Sequence, residues 1–174
     1  DLKKVPKSLV VIGAGYIGLE MGTVWARLGS KVEVIEYLPR ILPGMDLEVA
    51  NKFKAMMTKQ GLAFHLGMAV KSAKADKSGV VLTIADAKTN EEKTLKCDVA
   101  LVAVGRRPNT DGLGLEALGV EMSERGQIKV DEDFETNIEG IFAVGDVIPG
   151  PMLAHKAEED AVAAVEIMAG QSGH

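Results

Sequence analysis

Three glycines at positions 13, 15 and 18 constrain the fold of this chain more than any other feature. They follow an apolar run, Leu9–Ile12, and precede apolar residues with the spacing of a helix. A second segment of strand character, Lys31–Ile35, then ends at the acidic residue Glu36. The stretch therefore predicts a strand, a glycine turn, a helix and a second strand. The helix prediction rests on the apolar residues Ile17, Met21, Trp25 and Leu28.

Each glycine of this turn has a physical role in nucleotide recognition. Gly13 permits the tight turn, Gly15 lets the backbone approach a pyrophosphate, and Gly18 allows close packing of helix and strand. The free N–H groups and the positive dipole end of the helix then face the phosphates. Glu36 follows at roughly the twenty-residue offset of the acid that accepts hydrogen bonds from a ribose 2′-hydroxyl. A glycine turn without a ligand is the alternative, but strand, helix and acid together predict dinucleotide binding. The carboxylate favours NAD over NADP, because it would repel a 2′-phosphate.

Composition excludes several other classes of function. The chain has 174 residues, 47% of them hydrophobic, and a formal charge of −5, without a basic cluster, so nucleic acid is not an expected partner. No apolar run approaches the roughly 20 residues of a membrane span, and the charged start is not a signal peptide. We therefore expect a soluble, intracellular protein. Cys97 is the only cysteine, which excludes an internal disulfide and a thiol metal site; we expect it to be a small buried hydrophobe.

The middle of the chain predicts a helix followed by short strands. Two prolines after Glu36 indicate a loop, after which Asp46 can cap a helix to about Gly61. Strands at 62–66, 70–75, 80–85 and 93–96 predict a β-meander, in which we expect a structural role for His65. The unbroken apolar run Val99–Val104 is typical of a parallel strand buried on both faces. The helix residues expected to face inward are Val49, Phe53, Met56 and Met57.

The remaining chain predicts a second ligand site. Gly105 ends a strand at the sheet edge where ligands bind, and its amide could contact a dinucleotide. For the following Arg106 and Arg107, a solvated turn and an ion pair stay open as alternatives. Loops with one strand, 127–130, lead to the strand Gly140–Asp146 and to a helix from about Met152 to Met168. An aspartate between a strand end and a helix start commonly holds a ligand hydroxyl.

The order of these motifs resembles one family, the pyridine nucleotide–disulfide oxidoreductases. The motifs are GAGYIGLE, the acidic Glu36, VGRRPNT, TNIEGIFAVGD and GPMLAHKAEED, the last being the most specific. The similarity is greatest to members that oxidise dihydrolipoamide for the 2-oxo acid dehydrogenase complexes. It implies an α/β fold: a Rossmann-like NAD-binding domain over residues 1–125, with a parallel sheet and an inserted antiparallel β-meander, and a strand–helix segment of the FAD-binding, central region over residues 126–174.

The resemblance also implies roles for individual residues. Glu36 would hold the adenosine ribose, Val70 would border the adenine, and Gly105 would touch the nicotinamide half. Asp146 would hold the FAD ribityl chain. The NAD pyrophosphate and nicotinamide would be lined by Gly13, Ala14, Gly15, Tyr16, Ile17, Gly18, Leu19 and Glu20, and the flavin ring would meet the backbone of Met152, Leu153, Ala154 and His155.

Several parts of the family pattern do not occur in this sequence. They are the FAD-binding GxGxxG motif, the redox-active CxxxxC motif and the C-terminal interface domain with its catalytic His–Glu pair. The segment Glu158–Ala161 also replaces the usual acidic-glycine sequence. We therefore expect a middle piece of the enzyme with no catalytic residue and no metal ligand of its own. A stand-alone NAD-binding module and another disulfide reductase or NADH oxidase flavoprotein are the alternatives.

The resemblance implies the partners and the compartment as well. The expected partners are NAD(H), FAD, the remainder of the parent enzyme, its homodimer partner and a 2-oxo acid dehydrogenase complex. Bacterial cytoplasm and mitochondrial matrix are both consistent with the family.

Overall fold

The computed structural model describes residues 2–173, so Asp1 and His174 lie outside the described residues. The chain divides into two compact units between Val104 and Gly105. The predicted domain boundary at residues 125 and 126 falls within the second unit, and the assignment of the domains stays a prediction.

The first unit contains a parallel sheet and an antiparallel meander. The parallel sheet has four strands in the order β3-β2-β1-β7, and the meander has three in the order β4-β5-β6. The predicted α/β fold with an inserted meander is confirmed. The elements are β1 (Ser8–Ile12), α1 (Tyr16–Arg27), β2 (Lys31–Glu36), α2 (Leu47–Lys59), β3 (Ala63–Leu66), β4 (Met68–Asp76), β5 (Gly79–Asp86), β6 (Glu92–Cys97) and β7 (Val99–Val102).

Alternating side chains of β1 and β2 divide the core of this unit into two clusters. On one face, Leu9 and Val34 pack with Leu19 of α1 and with residues of α2. On the other face, Val10 and Ile35 pack with residues of the meander. Because successive strand residues point to opposite faces, the parallel sheet lies between a helical layer and the meander. Both faces of its central strands are therefore covered.

Helix α1 buries a different face from the one that its large apolar residues predicted. Gly18, Leu19 and Gly22 are buried, whereas Met21 and Leu28 are exposed. A Cβ added to Gly22 would lie 3.4 Å from Val32 Cγ1. The small glycine face thus lets the helix axis approach the sheet closely, which turns the larger side chains toward solvent. Of the four predicted contact residues, Ile17 and Trp25 are half-buried.

Helix α2 begins where the sequence predicted, after Asp46. Asp46 Oδ1 accepts hydrogen bonds from the backbone N–H of Glu48 (2.9 Å) and of Val49 (3.0 Å), which satisfies two free donors of the first turn. The inward face of α2 agrees only partly with the prediction of Val49, Phe53, Met56 and Met57. Positions 50, 53 and 57 form the stripe that packs on the sheet. Positions 49 and 56 lie beside that stripe, so Val49 and Met56 are about half exposed (50% and 52%).

Strand β7 lies at an edge of the parallel sheet. Among the described strands it pairs only with β1, and Val102 and Val104 are 66% and 71% exposed. The apolar run therefore correctly predicted a parallel strand, but burial on both faces was wrong. An edge strand has a neighbouring strand on one side only, so its side chains are less covered than those of the central strands.

Two predictions about single side chains in the first unit are confirmed. Cys97 is buried at 7% exposure, and burial raises the pKa of its thiol. His65 is held within the sheet, where its Nε2 lies 2.8 Å from Glu33 Oε2 and its Nδ1 lies 3.3 Å from Lys93 Nζ. Both residues are thus explained by packing and hydrogen bonding in the sheet.

Glu33 makes the stability of this sheet sensitive to acid. Hydrogen bonds from His65 and Lys31 hold the pKa of Glu33 below its ordinary value of 4.5. The unfolded state therefore binds this proton first as the pH falls, and the stabilisation, complete above pH 4.5, is lost toward the lowered pKa. We expect the unfolding free energy of the wild type to fall more steeply than that of Glu33→Gln as the pH drops below 4.5. Urea titrations at each pH measure both slopes.

The matched control for this prediction is Glu91→Gln, which removes an exposed carboxylate from the connection between β5 and β6. This variant should keep the acid slope of the wild type. Equal slopes for the Glu33→Gln and Glu91→Gln variants would contradict the assignment.

The second unit contains little regular structure before its last helix. Its helices are the single turn α3 (Leu115–Leu118), a 3₁₀ turn at Gly145–Val147, and α4 (Ala154–Met168). The predicted strand at 127–130 is one bridge between Met122 and Ile128, and the predicted strand Gly140–Asp146 is one bridge at Phe142. Both strand predictions were wrong in extent, because these segments bond to nearby turns rather than to a neighbouring strand. Thr136 N–H, for example, donates to Ile141 O (2.8 Å).

Candidate nucleotide-binding edge

The glycine turn lies at the point where the strand order of the parallel sheet reverses. From β1 the chain proceeds to β2 and β3 on one side, and it later returns to place β7 on the other side of β1. Open parallel sheets bind ligands outside the carboxyl ends of their strands at such a switch point. The turn after Ile12, the end of β2 at Glu36 and the end of β7 all belong to this edge. We call it the nucleotide edge.

Two glycines of the turn are required by the protein itself. Gly13 has φ +104°, and a Cβ added there would lie 2.4 Å from Ala103 O. A Cβ added to Gly18 would lie 2.2 Å from Gly13 O and 3.1 Å from Val11 Cγ1. Real Cβ atoms do not approach a carbonyl oxygen this closely. These two glycines therefore let the turn pack against β7 and against α1.

Gly15 is different, because none of the described residues 2–173 requires a glycine there. Its φ is −74°, which any residue can adopt, and a Cβ added to it would meet no atom within 4 Å. Gly15 is also the N-cap of α1 and supplies no side-chain cap to that helix. An open surface beside the first N–H groups of a helix matches the requirements for close approach of an anion.

The residues after Gly15 contribute to this edge in different ways. Tyr16 and Glu20 are exposed and Ile17 is half-buried, so their side chains border the surface of the helix start. Ala14 and Leu19 are buried at 0% and 1% exposure. The side chains of these last two residues belong to the core, and only their backbone can face a ligand.

Glu36 connects the end of β2 to the glycine turn. Its Oε2 accepts a hydrogen bond from Ala14 N–H (2.8 Å), and its Oε1 accepts one from Leu38 N–H (2.8 Å). A carboxylate oxygen has more than one acceptor position, so Glu36 can still accept from a ligand hydroxyl. The residue thus holds the turn in place and puts a negative charge at the nucleotide edge.

The connection between β2 and α2 also contacts the glycine turn, and sequence reasoning missed this contact. Leu42 N–H donates to Ala14 O (2.9 Å). Arg40 Nη2 donates to Leu42 O (3.2 Å) and to Met45 O. The two prolines of this segment predicted a loop correctly, but no local pattern indicates which carbonyl a loop amide will meet.

Val70 and Gly105, the other residues predicted to contact the dinucleotide, lie far from the glycine turn along the chain. Val70 is half-buried in β4, where it packs against the cluster between sheet and meander, beside a β-bulge. Gly105 opens the second unit with φ +138°, and a Cβ added to it would meet no atom within 4 Å. The structure therefore brings the turn and Glu36 together, and it describes Val70 and Gly105 only in their own surroundings.

In the second unit, the turn that carries Asp146 packs against α4. Gly145 has φ +76°, a Cβ added to it would lie 3.0 Å from Ala157 Cβ, and its N–H donates to Asp160 Oδ2 (3.2 Å). Lys156 Nζ lies 2.5 Å from the same oxygen. The replaced acidic-glycine segment thus still supplies a carboxylate, that of Asp160, to this packing.

The sequence left open whether Arg106 and Arg107 form a solvated turn or an ion pair, and a contact within the second unit decides this for Arg106. Arg106 Nε lies 3.6 Å from Asp146 Oδ2, so the first of the two arginines forms an ion pair, although both side chains are partly exposed. Asp146 itself lies in the 3₁₀ turn rather than at a strand end. Met152 and Leu153 precede α4, and Ala154 and His155 begin it; the N-cap Leu153 supplies no side-chain cap.

Residues 2–173 contain neither a cluster suited to a metal ion nor a membrane-spanning helix. No group of three or more His, Cys, Asp or Glu side chains within that range is arranged to hold a metal ion. No helix among these residues has the length and apolar character needed to cross a membrane.

The parallel sheet, the switch point and the glycine turn define a Rossmann-like α/β fold. The family model described as pyridine nucleotide-disulphide oxidoreductase matches residues 1–161. The chain belongs to this family of oxidoreductases. Membership implies the use of a pyridine nucleotide and a flavin.

Three relatives show how far the similarity extends. Dihydrolipoyl dehydrogenase 2, mitochondrial, of Arabidopsis thaliana is 53% identical over 174 residues, which are 100% of this chain and 34% of that protein. Dihydrolipoyl dehydrogenase 3 of Pseudomonas putida is 51% identical over 171 residues, 98% of this chain and 36% of that protein. The solved structure of the HOCl-induced flavoprotein disulfide reductase RclA from Escherichia coli has a TM-score of 0.88 at 29% identity, over 100% of this chain and 39% of that chain. The chain thus spans about a third of the length of these relatives.

Proposed function

We propose that this chain is the NAD(H)-binding part of a flavin-dependent dihydrolipoyl dehydrogenase. In the parent enzyme, dihydrolipoamide would be oxidised through a disulfide and FAD, and hydride would pass to NAD⁺. The observation that carries the proposal is the glycine at position 15, which the fold does not require, at the start of a helix on the nucleotide edge. The identity of 51% to 53% with dihydrolipoyl dehydrogenases supports the choice of substrate.

The residues of the nucleotide edge fit a dinucleotide by their chemistry. The backbone N–H groups that follow Gly15 would donate to the pyrophosphate, and the missing side chain would leave room for it. Glu36 would accept a hydrogen bond from a ribose hydroxyl while it keeps its bond to Ala14. Tyr16, Ile17 and Glu20 would border the nicotinamide.

Two further residues complete the proposed NAD(H) site. Val70 would border the adenine from the meander, and Gly105 would approach the nicotinamide half through its backbone. Both positions lack a bulky polar side chain, which suits contact with the flat faces of the two rings.

The second unit would contribute to the FAD site. The carboxylate of Asp146 would accept a hydrogen bond from a ribityl hydroxyl, and the packing of Gly145 on α4 would hold that carboxylate in place. The start of α4, residues 152–155, would present backbone to the flavin, and its N-cap Leu153 supplies no side-chain cap. When bound, FAD supplies the relay of two electrons between a dithiol and the nicotinamide. No residue of this chain is proposed to be catalytic, and His155 would act through its backbone.

The partners and the compartment follow from the same proposal. The rest of the parent enzyme would supply the redox disulfide, the remaining FAD-binding residues and the homodimer interface. The enzyme would serve a 2-oxo acid dehydrogenase complex, in the bacterial cytoplasm or in the mitochondrial matrix.

The cofactor preference of Glu36 variants tests the proposal. We expect the wild type to bind NADH more tightly than NADPH, because the Glu36 carboxylate accepts from a ribose hydroxyl and repels a 2′-phosphate. In Glu36→Arg, NADH affinity should fall by about 10-fold to 100-fold, the equivalent of a lost charged hydrogen bond, and NADPH should become the preferred ligand. Calorimetric titrations of both nucleotides measure the two affinities.

The control variant is Glu91→Arg, which makes the same change of charge at an exposed position of the meander. It should keep the preference of the wild type for NADH. A wild type that binds neither nucleotide, or a preference that stays the same in Glu36→Arg, would refute the proposed function of this edge.

A further inference from the structure

Arg40 holds together the turn that contacts the glycine loop. One nitrogen of its guanidinium, Nη2, donates to two backbone carbonyls, those of Leu42 and Met45. Its Nε is buried and lacks a hydrogen-bond partner among the described residues. A guanidinium whose Nε is buried and whose Nη2 bonds to two backbone carbonyls is fixed to its own turn rather than freely solvated. The side chain thus has a structural function inside the connection between β2 and α2.

The turn that Arg40 bridges has a strained backbone conformation. Leu42 has φ +47°, in the left-handed region that a branched residue rarely adopts. Met45 N–H donates to Leu42 O (2.9 Å), and Ile41 is buried in the core of the first unit. Arg40 bonds to the same Leu42 carbonyl and to Met45 O, so it joins the two ends of the turn. Such a conformation persists only where the surrounding contacts hold it.

The turn at Leu42–Met45 controls the orientation of one peptide group of the glycine loop, the one between Ala14 and Gly15. Leu42 N–H donates to Ala14 O (2.9 Å), while Ala14 N–H donates to Glu36 Oε2 (2.8 Å). The described residues contain no cis peptide bond, and in a planar trans peptide the N–H points opposite to the preceding C=O. The hydrogen bond that orients Ala14 C=O therefore also sets the direction of Gly15 N–H.

We propose that Arg40 is a positioning residue for the pyrophosphate of the bound dinucleotide. It acts through Leu42 on the Ala14–Gly15 peptide and thereby presets the Gly15 N–H toward the ligand. This inference rests on the proposed binding of NAD(H) at the nucleotide edge. It differs from direct attraction of the phosphates by a positive charge, because the guanidinium bonds to carbonyls of its own turn.

The test compares three ligands that contain different parts of the dinucleotide. The variant Arg40→Met keeps an unbranched apolar stem and removes the guanidinium with all its donors. We expect it to bind NADH and ADP about tenfold more weakly than the wild type, the equivalent of one well-placed hydrogen bond. Adenosine, which has no phosphate, should bind with less than about a twofold change. Calorimetry gives the affinities for NADH and ADP, and NMR titration gives that for adenosine.

Two further measurements separate positioning from a general structural effect. In Arg40→Met the Leu42 amide should exchange its hydrogen faster, and the Gly15 amide resonance should shift. In Arg40→Lys one ammonium group can still bridge both carbonyls, since a single nitrogen makes both bonds in the wild type. This variant should therefore recover most of the affinity for ADP.

Each contrary result has a defined meaning. A wild type that binds neither NADH nor ADP would refute the proposed function, and the inference with it. If the wild type binds both, unchanged ADP affinity in Arg40→Met, or an equal loss for ADP and adenosine, would overturn the role of Arg40 alone. If Arg40→Met does not fold, Arg40→Gln, which also removes the guanidinium, takes its place: faster Leu42 exchange with unchanged ADP affinity in that variant would contradict the inference.

Discussion

Replacing Gly18 by alanine is expected to lower the unfolding free energy by about 3 kcal/mol, the upper part of the usual range for an overpacked core site. The new Cβ would lie 2.2 Å from Gly13 O and 3.1 Å from Val11 Cγ1, so α1 must move away from β1. That movement separates the buried residues of α1 from the sheet, and it displaces the glycine turn. Urea denaturation followed by circular dichroism measures the change.

Gly44→Ala is the control for this prediction. Gly44 is exposed, and a Cβ added to it would meet no atom within 4 Å. Its substitution should change the unfolding free energy by less than about 0.5 kcal/mol, as is usual for surface positions. A Gly18→Ala variant as stable as the Gly44→Ala variant would show that α1 can shift without cost, contrary to the close packing of α1 on the glycine turn and β1.

Replacing Gly15 by alanine is expected to have the opposite pattern of effects. Stability should stay within about 0.5 kcal/mol of the wild type, because the backbone of Gly15 is unstrained and the added Cβ meets no protein atom. NADH affinity should fall by about 100-fold or more, because the methyl group would occupy the path of the pyrophosphate. Denaturation and calorimetry on the same preparation measure both quantities.

The two results would distinguish the glycine that the fold requires from the one that the ligand requires. A Gly15→Ala variant that keeps its NADH affinity would mean that the pyrophosphate does not pass over this residue. A variant that loses stability as well would mean that Gly15 has a role in the fold which its surroundings do not indicate.

Local sequence signals correctly predicted most elements of the first unit. The Asp46 cap, the periodic apolar residues and the turn residues each act within a few positions of the chain, so they can be recognised without a structure. The glycine spacing also predicted the turn and the acidic end of β2. For the second unit, the same signals predicted α4 but overestimated two strands, because a strand exists only where another segment supplies its hydrogen bonds.

The sequence by itself determined the order of the elements, the glycine turn and the resemblance to the family, because these depend on spacing along the chain. Only the tertiary structure decided which helix face is buried, that β7 is an edge strand, and that Leu42 and Glu36 both bond to Ala14. Each of these outcomes depends on contacts between distant segments; Ala14 and Glu36, for example, are 22 positions apart. Such pairings follow from how layers pack, and Arg40 became visible as a positioning residue only through them.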